Sequence, residues 1–440
     1  MVNYNEYKDV KMGWLDRIPA HWTTVPLKYS IGKKPFSFVD GDWIESKVIE
    51  SDGIRYLTTG NVGVINYKEQ GNGFISDKTF KELNCTEVFP GDVLISRLNF
   101  PIGRSCIVPN LGYRIVVAVD NVIFRPDETK YNKKYLVYQM NCFPYSENAN
   151  FIARGSTMQR ITRAQLGALK LCVPPLEEQN AMVTYLDKKC SEIDNVISAQ
   201  QKRIALLQEL KQSVITHAVT KGLDPNVEMK DSGVEWIGEV PKHWDVMKTS
   251  LAFQGIGSGT TPSTSKKEFY DEEGKYWLQT GDLNDGVILG TSKKVSDIAI
   301  KVCNLKFYPK DSVVIAMYGA TIGKVGILGI KTATNQACCV LPANNHMVAK
   351  YSFYEFLACK PALLVSAIGG GQPNISQDTI RKQKIAVPPV EEQKMIADYL
   401  GKKCVSIDSS ISKAQHQVDL LQEYKQRLIT EVITGKRKVC

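Results

Sequence analysis

Three segments of the sequence carry residue types that could do chemistry, but none has the spacing that the chemistry needs. The glycines of residues 255–259 suit a cofactor loop, yet no clear buried strand precedes them and no helix follows. Residues 319–324 lack the spacing of a phosphate-binding loop. The adjacent carboxylates within residues 271–275 are typical of a solvated charged loop. None of the five histidines has metal-ligand spacing, so we predict no catalytic site, metal or cofactor in this chain.

The composition is that of an ordinary globular protein, with 43% hydrophobic and 23% charged residues. A length of 440 residues predicts roughly two to four domains. The longest apolar stretch, residues 313–330, contains Lys324, which argues against a transmembrane helix. The polar first residues suggest no secretory signal. Eleven cysteines without a CxxC pair favour free thiols and a cytoplasmic location.

An internal repeat is the strongest signal in the sequence. Residues 171–222 align without gaps on residues 385–436, and about half of the positions are identical. Weaker correspondences precede both segments, including a His-Trp pair at His21 and at His243. We expect these His-Trp pairs to pack rather than to do chemistry. The duplication predicts four segments, namely globular residues 1–170, helical residues 171–223, globular residues 224–384 and helical residues 385–440.

Apolar residues in both helical segments recur at alternating spacings of three and four, which predicts a coiled-coil seam. Pro-Pro pairs mark the helix starts and Glu-Glu pairs follow in the first turn, where negative charge is favourable. The first helix leads to the second globular segment and the second helix returns, so we expect them to lie antiparallel. The seam residues that we assign to this contact are Leu186, Ile193, Ile197, Ile204, Leu207, Leu400, Ile407, Ile411, Val418 and Leu421.

The globular segments contain short runs of β-branched residues, at 91–96, 114–119 and 312–316, that predict strands. Residues 130–140 predict a helix. The predicted fold class is therefore α+β, with two pseudo-symmetric α/β globular units separated by two long antiparallel helices that form a coiled coil.

Polar and basic side chains in Gly- and Ser-containing turns indicate DNA binding. Of the net charge of +9, the helices hold 0 and +2, so most of the positive charge lies in the globular segments. Arginine and lysine pair with guanine edges or phosphates, and glutamine and asparagine pair with adenine edges. The predicted DNA-contacting residues are Arg97, Arg104, Arg154, Gln159, Arg160, Lys324, Gln372, Asn374 and Arg381.

The two copies have diverged unevenly. The helices have stayed about half identical, whereas the globular segments keep only fragments of similarity. A surface that is copied and kept alike suggests one kind of partner bound twice. A site that is copied and then altered suggests two different targets.

Four motifs together resemble the specificity subunits of type I restriction–modification systems. Each half opens with Trp…Ile/Val-Pro-x-His-Trp and places Pro-Pro-x-Glu-Glu-Gln before its helix, while residues 259–263 read Gly-Thr-Thr-Pro-Ser and residues 371–376 read Gly-Gln-Pro-Asn-Ile-Ser. The resemblance covers nearly the whole chain. It implies that each globular unit is a target recognition domain for one half of a bipartite DNA site, and that the helices are a spacer setting the gap.

The same resemblance implies partners and individual residues. The chain would bind double-stranded DNA, dock two adenine-methyltransferase subunits and join motor-nuclease subunits. Adenosylmethionine, ATP and Mg²⁺ would then belong to those partners. The Gly-Gln-x-Asn-Ile motif carries over to Gln372 and Asn374, whereas the first half departs from it at residues 155–161.

Three other functions remain as alternatives. A combined restriction–methylation enzyme would need its own methyltransferase motifs, for which the duplication leaves no room. A non-catalytic DNA-binding regulator, or an orphan copy that donates recognition domains, would bind DNA without a methyltransferase. A structural coiled-coil adaptor would bind neither.

Overall fold

A computed structural model of the chain describes residues 3–155, 157–365 and 374–439. The chain divides by packing into two compact units, Met1–Gln200 with His416–Cys440 (unit 1) and Gln201–Gln415 (unit 2). Each unit has its own hydrophobic core and contains one part of each long helix. The division into four segments stays a prediction.

The globular part of unit 1 consists of short strands with helices packed against them. Its strands are β1 (Tyr7–Asp9), β2 (Arg17–Pro19), β3 (Thr23–Pro26), β4 (Phe38–Asp40), β5 (Ile54–Leu57), β6 (Phe74–Ile75), β7 (Val93–Ser96), β8 (Ser105–Ile107), β9 (Ile115–Val117), β10 (Asn121–Phe124) and β11 (Lys170–Val173). They form an antiparallel sheet in the order β4-β10-β7-β8, a sheet in the order β6-β5-β9, and the pairs β1-β2 and β3-β11. The β5-β9 pair is parallel, so this sheet is mixed.

The helices of unit 1 connect these sheets and lead into the first long helix. They are α1 (Asp77–Glu82), α2 (Lys133–Met140), α3 (Phe143–Ile152), α4 (Arg163–Ala168) and α5 (Leu176–Lys221). The strands and the helix predicted within residues 91–96, 114–119 and 130–140 are present as β7, β9 and α2.

Unit 2 repeats this plan with different sheets. Its strands are β12 (Met229–Asp231), β13 (Glu239–Pro241), β14 (Asp245–Lys248), β15 (Gly257–Ser258), β16 (Tyr270–Leu278), β17 (Gly286–Ile288), β18 (Lys293–Val295), β19 (Phe307–Tyr308), β20 (Val313–Ala316), β21 (Val325–Leu328), β22 (Thr332–Thr334), β23 (Cys338–Leu341) and β24 (Lys384–Val387). They pair in the orders β15-β23-β20-β21-β17, β18-β16-β22-β19, β12-β13 and β14-β24. Its helices are α6 (Thr249–Ala252), α7 (Asp297–Val302), α8 (Ala349–Val365), α9 (Gln377–Lys382) and α10 (Val390–Ile433).

The predicted α+β class with two long helices is confirmed by this architecture. Helix α5 has 46 residues and α10 has 44. Each begins directly after its Pro-Pro pair, and Gly222, whose φ of 76° is left-handed, follows α5. No helix in the described part of the chain is long and apolar enough to cross a membrane. The ten cysteines in that part are all free.

In each unit the two helix segments pack antiparallel along an apolar seam. In unit 1, Cys172 just before α5 lies against Ile433 at the end of α10, whereas Asp194, further along α5, pairs with Lys425. Moving forward along α5 therefore means moving backward along α10. All ten predicted seam residues are buried or half-buried in the structure.

An equivalent lysine–aspartate pair joins the helices in both units. Lys425 lies 2.7 Å from Asp194 in unit 1, and Lys211 lies 2.8 Å from Asp408 in unit 2. Each lysine occupies a position of the apolar seam, where its ammonium group finds a partner only if the register is right. We infer that these pairs specify helix alignment more than they add stability.

The Pro-Pro-x-Glu-Glu-Gln motif attaches each long helix to its globular part. In unit 1 the second glutamate, Glu178, accepts hydrogen bonds from Trp22 Nε1 (3.1 Å) and contacts His21 Nε2 (2.9 Å). In unit 2, Glu392 makes the same contacts with Trp244 (2.8 Å) and His243 (2.7 Å). Both tryptophan side chains are fully buried, as packing residues should be.

The glutamine of the motif completes this attachment. Gln179 donates to the carbonyl oxygens of Lys130 (3.0 Å) and Pro174 (2.9 Å) and accepts from the N–H of Asn132 (2.8 Å), just before α2. Gln393 makes the equivalent three contacts before α8 in unit 2. Because both glutamines are fully buried, each unmade hydrogen bond would leave a costly unsatisfied group.

One buried position differs in charge between the units. Gln139 in unit 1 donates to the carbonyl oxygen of Cys172 (2.9 Å), whereas unit 2 carries Glu355, which accepts from the N–H of Ala386 (2.8 Å). Glu355 is fully buried, and burial raises its pKa from 4.5 to about 8, an effect that the hydrogen bond from Ala386 partly opposes. Near neutral pH, Glu355 is therefore protonated in the folded chain and ionised in the unfolded chain.

We expect Glu355→Gln to make the stability of the chain less dependent on pH. The folded state of the wild type binds the extra proton. Its free energy of unfolding therefore falls by about 1.4 kcal/mol for each unit that the pH rises between 4.5 and 8. Glutamine removes that slope while keeping the acceptor for Ala386. The measurement is the free energy of unfolding in urea at several pH values from about 5 to 9.

The matched control is Gln139→Glu, which should add a slope of the same sign to unit 1. An unchanged pH dependence in Glu355→Gln would show that Glu355 is not the titrating group.

Candidate nucleic-acid interface

The loop between β7 and β8 in unit 1 is built around Arg104. The guanidinium group donates to the carbonyl oxygens of Leu98 (3.1 Å), Asn99 (2.8 Å) and Pro101 (3.1 Å). It also donates to two carbonyl oxygens of the preceding segment, at residues 59 and 62 (2.8 and 2.7 Å). Arg104, predicted to contact DNA, therefore uses its donors to fix the shape of the loop.

Arg97, at the end of β7, is also committed inside the protein. Only 6% of it is exposed, and it donates to the carbonyl oxygens of Ile161 (3.2 Å) and Val119 (2.8 Å). Its Nε atom lies 3.0 Å from a carboxylate oxygen of Asp40. Burial lowers the pKa of both Arg97 and Arg104. The prediction that these two residues contact DNA stays a prediction, whereas their intrachain contacts give them a supporting role.

Three other predicted residues of unit 1 lie together on an exposed hairpin. The backbones of Arg154 and Arg160 pair with each other (3.0 and 2.8 Å), and Gln159 lies beside them. All three residues are exposed. The carbonyl oxygen of Gln159 accepts from the N–H of Asn99 (3.0 Å), which joins this hairpin to the β7–β8 loop. We name the β7–β8 loop together with residues 154–155 and 157–160 the unit 1 tip.

Acidic residues behind the tip orient its cations. A carboxylate oxygen of Asp120 contacts the guanidinium group of Arg160 and lies 3.9 Å from that of Arg97. Asp40 lies 3.6 Å from Arg163 and also contacts Arg97. Such carboxylates hold an arginine plane in one orientation while leaving its outer edge available for a planar acceptor.

We name the β20–β21 loop together with residues 374–375 the unit 2 tip, and it has the same backbone plan. The N–H of Ile375 donates to the carbonyl oxygen of Met317 (2.8 Å), as that of Ile161 donates to Arg97 (3.0 Å) in unit 1. Asn374 forms an antiparallel bridge with Tyr318, just as Arg160 does with Leu98. Asn374 is exposed and Lys324, in the β20–β21 loop, is half-buried, whereas Gln372 lies outside the described residues.

These pairings reveal an equivalence that sequence reasoning missed. Arg160 in unit 1 occupies the place of Asn374 in unit 2, because each precedes the isoleucine that bonds to the end of the central strand. The constant offset of the gap-free repeat extends back to this position and could have given the same answer. The tips therefore place an arginine and an asparagine at one structural position.

Arg381 is the remaining predicted residue. It and the Gly-Thr-Thr-Pro-Ser motif make hydrogen bonds within the globular part of unit 2. Arg381, on α9, donates to the carbonyl oxygen of Ile256, near the start of β15. Trp277 Nε1 donates to the carbonyl oxygen of Thr260 (3.1 Å), and the Tyr270 hydroxyl donates to that of Pro262 (2.7 Å). A side chain at Gly259 would collide with the backbone of Thr334, so the motif fits closely against its sheet.

Within residues 3–155, 157–365 and 374–439, no cluster of three or more His, Cys, Asp or Glu side chains could hold a metal ion. The tips present exposed arginine, glutamine and asparagine side chains on loops that are held by hydrogen bonds. That arrangement is suited to hydrogen bonding with a planar polar partner rather than to bond breaking.

Comparisons with known proteins agree with this geometry. The model of the type I restriction modification DNA specificity domain matches residues 41–206 and 241–409. The MjaIX specificity subunit of a Methanocaldococcus jannaschii type I restriction enzyme is 22% identical over 449 residues, covering 99% of this chain and 97% of that protein.

Two solved structures share the fold at 15% identity. One is a chain of a type I R-M system, with a TM-score of 0.72 over 96% of this chain and 99% of that one. The other is the HsdS subunit of Thermoanaerobacter tengcongensis, with a TM-score of 0.51 over 96% and 98%. Because the family model matches both halves, the chain belongs to the type I restriction–modification DNA specificity family, as a non-catalytic subunit that recognises DNA.

Proposed function

We propose that this chain reads a bipartite DNA site, with one half-site contacted by each tip. One observation carries the proposal: the same backbone position presents Arg160 in unit 1 and Asn374 in unit 2. Arginine pairs with two acceptors of guanine, and asparagine pairs with the acceptor and donor of adenine in the major groove. A shared frame with different reading residues is what two different half-sites require.

The unit 1 tip also has the electrostatics of a DNA contact. Arg154 and Arg160 are exposed on the hairpin, while Arg97 and Arg104 balance inward-facing acids and carbonyl groups. The outer cations would meet phosphates or base edges, and the inner ones would keep the loop in place. In unit 2, Gln372 stays a predicted DNA-contacting residue on the strength of the sequence motif that it shares with Asn374.

The finer part of the proposal concerns protein partners. Each unit exposes an apolar pair on its long helix at equivalent positions: Leu206 (64% exposed) and Leu210 in unit 2, and Leu420 and Tyr424 in unit 1. Exposed apolar residues one helical turn apart favour contact with another protein. Because the pair occurs once per unit, we propose that two adenine-methyltransferase subunits dock there, one on each pair.

A cleft lined by equivalent residues in each unit supports docking of the same partner twice. The cleft has a volume of about 700 Å³ in unit 1 and about 580 Å³ in unit 2. Corresponding residues line both clefts, namely Lys134, Tyr138, Cys190, Asp194 and Lys425 in unit 1, and Lys350, Tyr354, Cys404, Asp408 and Lys211 in unit 2.

We further propose that motor-nuclease subunits join this complex, that adenosylmethionine, ATP and Mg²⁺ act in the partner subunits, and that helix length sets the gap between half-sites.

Co-expression with the neighbouring methyltransferase tests the proposal. The expected result is a complex of one specificity chain and two methyltransferase chains, with adenine methylation at one bipartite motif in the host. DNA binding without a complex would favour the regulator, and neither DNA binding nor a complex would favour the structural adaptor.

Each tip residue should affect only its own half-site. We expect Arg160→Ala to relax one or two base positions of one half-site, and Asn374→Ala to do so in the other, each with a loss of about 1–3 kcal/mol of discrimination. Methylation mapping provides the readout. Arg17→Ala, which removes an exposed arginine of unit 1 on β2, is the matched control and should leave both halves unchanged. Relaxation of both half-sites by either tip variant would count against separate reading.

Charge on one apolar pair should remove one methyltransferase subunit. We expect Leu206→Glu with Leu210→Glu to weaken binding of one copy at least about 30-fold, because buried apolar contacts would be replaced by desolvated carboxylates. The mass of the purified complex should fall by one methyltransferase chain. The control is Gln201→Glu, on another face of the same helix, where the residue is exposed. A complex of unchanged mass and affinity would place the docking surface elsewhere.

A further inference from the structure

The unit 1 tip turns an aromatic ring towards solvent. The carbonyl oxygens of Leu98, Asn99 and Pro101 all point inward to the Arg104 guanidinium group. The side chain between them, Phe100, is left outside and is 69% exposed. A phenylalanine in this position gains nothing from the folded core.

The loop that carries Phe100 is held on several sides. Asn99 adopts a left-handed backbone with a φ of 60°, and its N–H donates to the carbonyl oxygen of Gln159 (3.0 Å). Ser96 Oγ donates to the carbonyl oxygen of Leu98 (3.1 Å), and the N–H of Ile102 donates to Asn150 Oδ1 (2.9 Å). Asparagine adopts this left-handed conformation more readily than most residues, so Asn99 suits the turn, and the hydrogen bonds of the loop hold it. Phe100 is thus presented in a fixed position and loses little freedom on binding.

Apolar and basic side chains alternate on this surface. Met158, next to the exposed Gln159, is 65% exposed, and Phe151, at the end of α3 that anchors the loop through Asn150, is 84% exposed. Arg154 and Arg160 lie on the same hairpin as Met158. DNA carries negatively charged phosphates on its outside and apolar base faces inside. A surface of alternating cationic and apolar side chains therefore suits DNA as a partner.

Unit 2 carries no aromatic residue at the position equivalent to Phe100. Gly319, with a φ of 84°, takes the place of Asn99, and the exposed Ala320 takes the place of Phe100. Lys324 stands where unit 1 has Arg104. The fold therefore tolerates alanine at this position, and the aromatic ring of Phe100 is a property of the unit 1 target rather than of the scaffold.

We propose that Phe100, together with Met158, is a specificity-determining residue that makes an apolar contact to bases of the half-site read by unit 1. The inference rests on the proposed function, because it assumes that unit 1 reads one half-site. The apolar group of the DNA is either the methyl group of a thymine in the groove or the face of a base at an opened step.

The test uses the purified complex with its methyltransferase subunits and a duplex that carries the mapped site. We expect Phe100→Ala to weaken binding about 10-fold, a typical effect for one lost base contact, and to relax positions only in the half-site of unit 1. Phe100→Leu should restore most of the binding. The melting temperature should not change, because the ring is exposed and unit 2 carries alanine at this position.

Two DNA probes identify the contacted group. If the ring meets a thymine methyl, replacing that thymine by uracil should weaken binding of the wild type and leave Phe100→Ala unaffected. If the ring contacts an opened step, 2-aminopurine in the half-site should brighten with the wild type and stay dark with Phe100→Ala.

Unchanged affinity and unchanged half-sites in Phe100→Ala would overturn the inference, as would equal relaxation of both half-sites. A wild-type complex that methylates no bipartite site would instead refute the proposed function itself.

Discussion

The apolar seam between α5 and α10 aligns the two long helices within each unit. Each unit uses a different stretch of it, and each stretch contains one lysine that pairs with an aspartate of the facing helix. An ammonium group on an apolar seam finds its partner in one register only. Within each unit, the buried Gln179 or Gln393 then attaches the long helix to the globular part.

The shared frame and the altered tips account for how one duplication can serve two targets. The tryptophan–glutamate contacts and the lysine–aspartate pairs are the same in both units, and equivalent residues line a cleft in each. The loops that follow β7 and β20 differ between the units, because Phe100 is replaced by Ala320 and Arg160 by Asn374 at the equivalent positions. This pattern is the one that we expect if the retained parts bind the same protein partner and the altered parts contact different bases.

Much of this fold could be predicted because its largest signal is local. A repeat of three and four residues is read directly from the chain, and it placed the seam from Leu186 to Leu421 on the inward face of both helices. The helix starts followed from the Pro-Pro pairs. The sheets were less predictable because their pairing joins distant strands, as in β3 with β11 or β14 with β24.

The roles of individual tip residues could not be predicted, since they depend on contacts distant in sequence. Arg97 and Arg104 have the same residue type as Arg160, yet the first two are occupied by Asp40 and by backbone carbonyl groups. No local pattern separates them. The place of Phe100 likewise depends on three carbonyl groups that turn towards Arg104.

We propose above that the length of the two long helices sets the distance between the half-sites that the two units read. Deleting one heptad from both helices, at equivalent positions of the repeat, keeps the seam in phase and shortens it. Methylation mapping should then show the same two half-site sequences with fewer base pairs between them. An unchanged gap, or altered half-sites, would contradict the account.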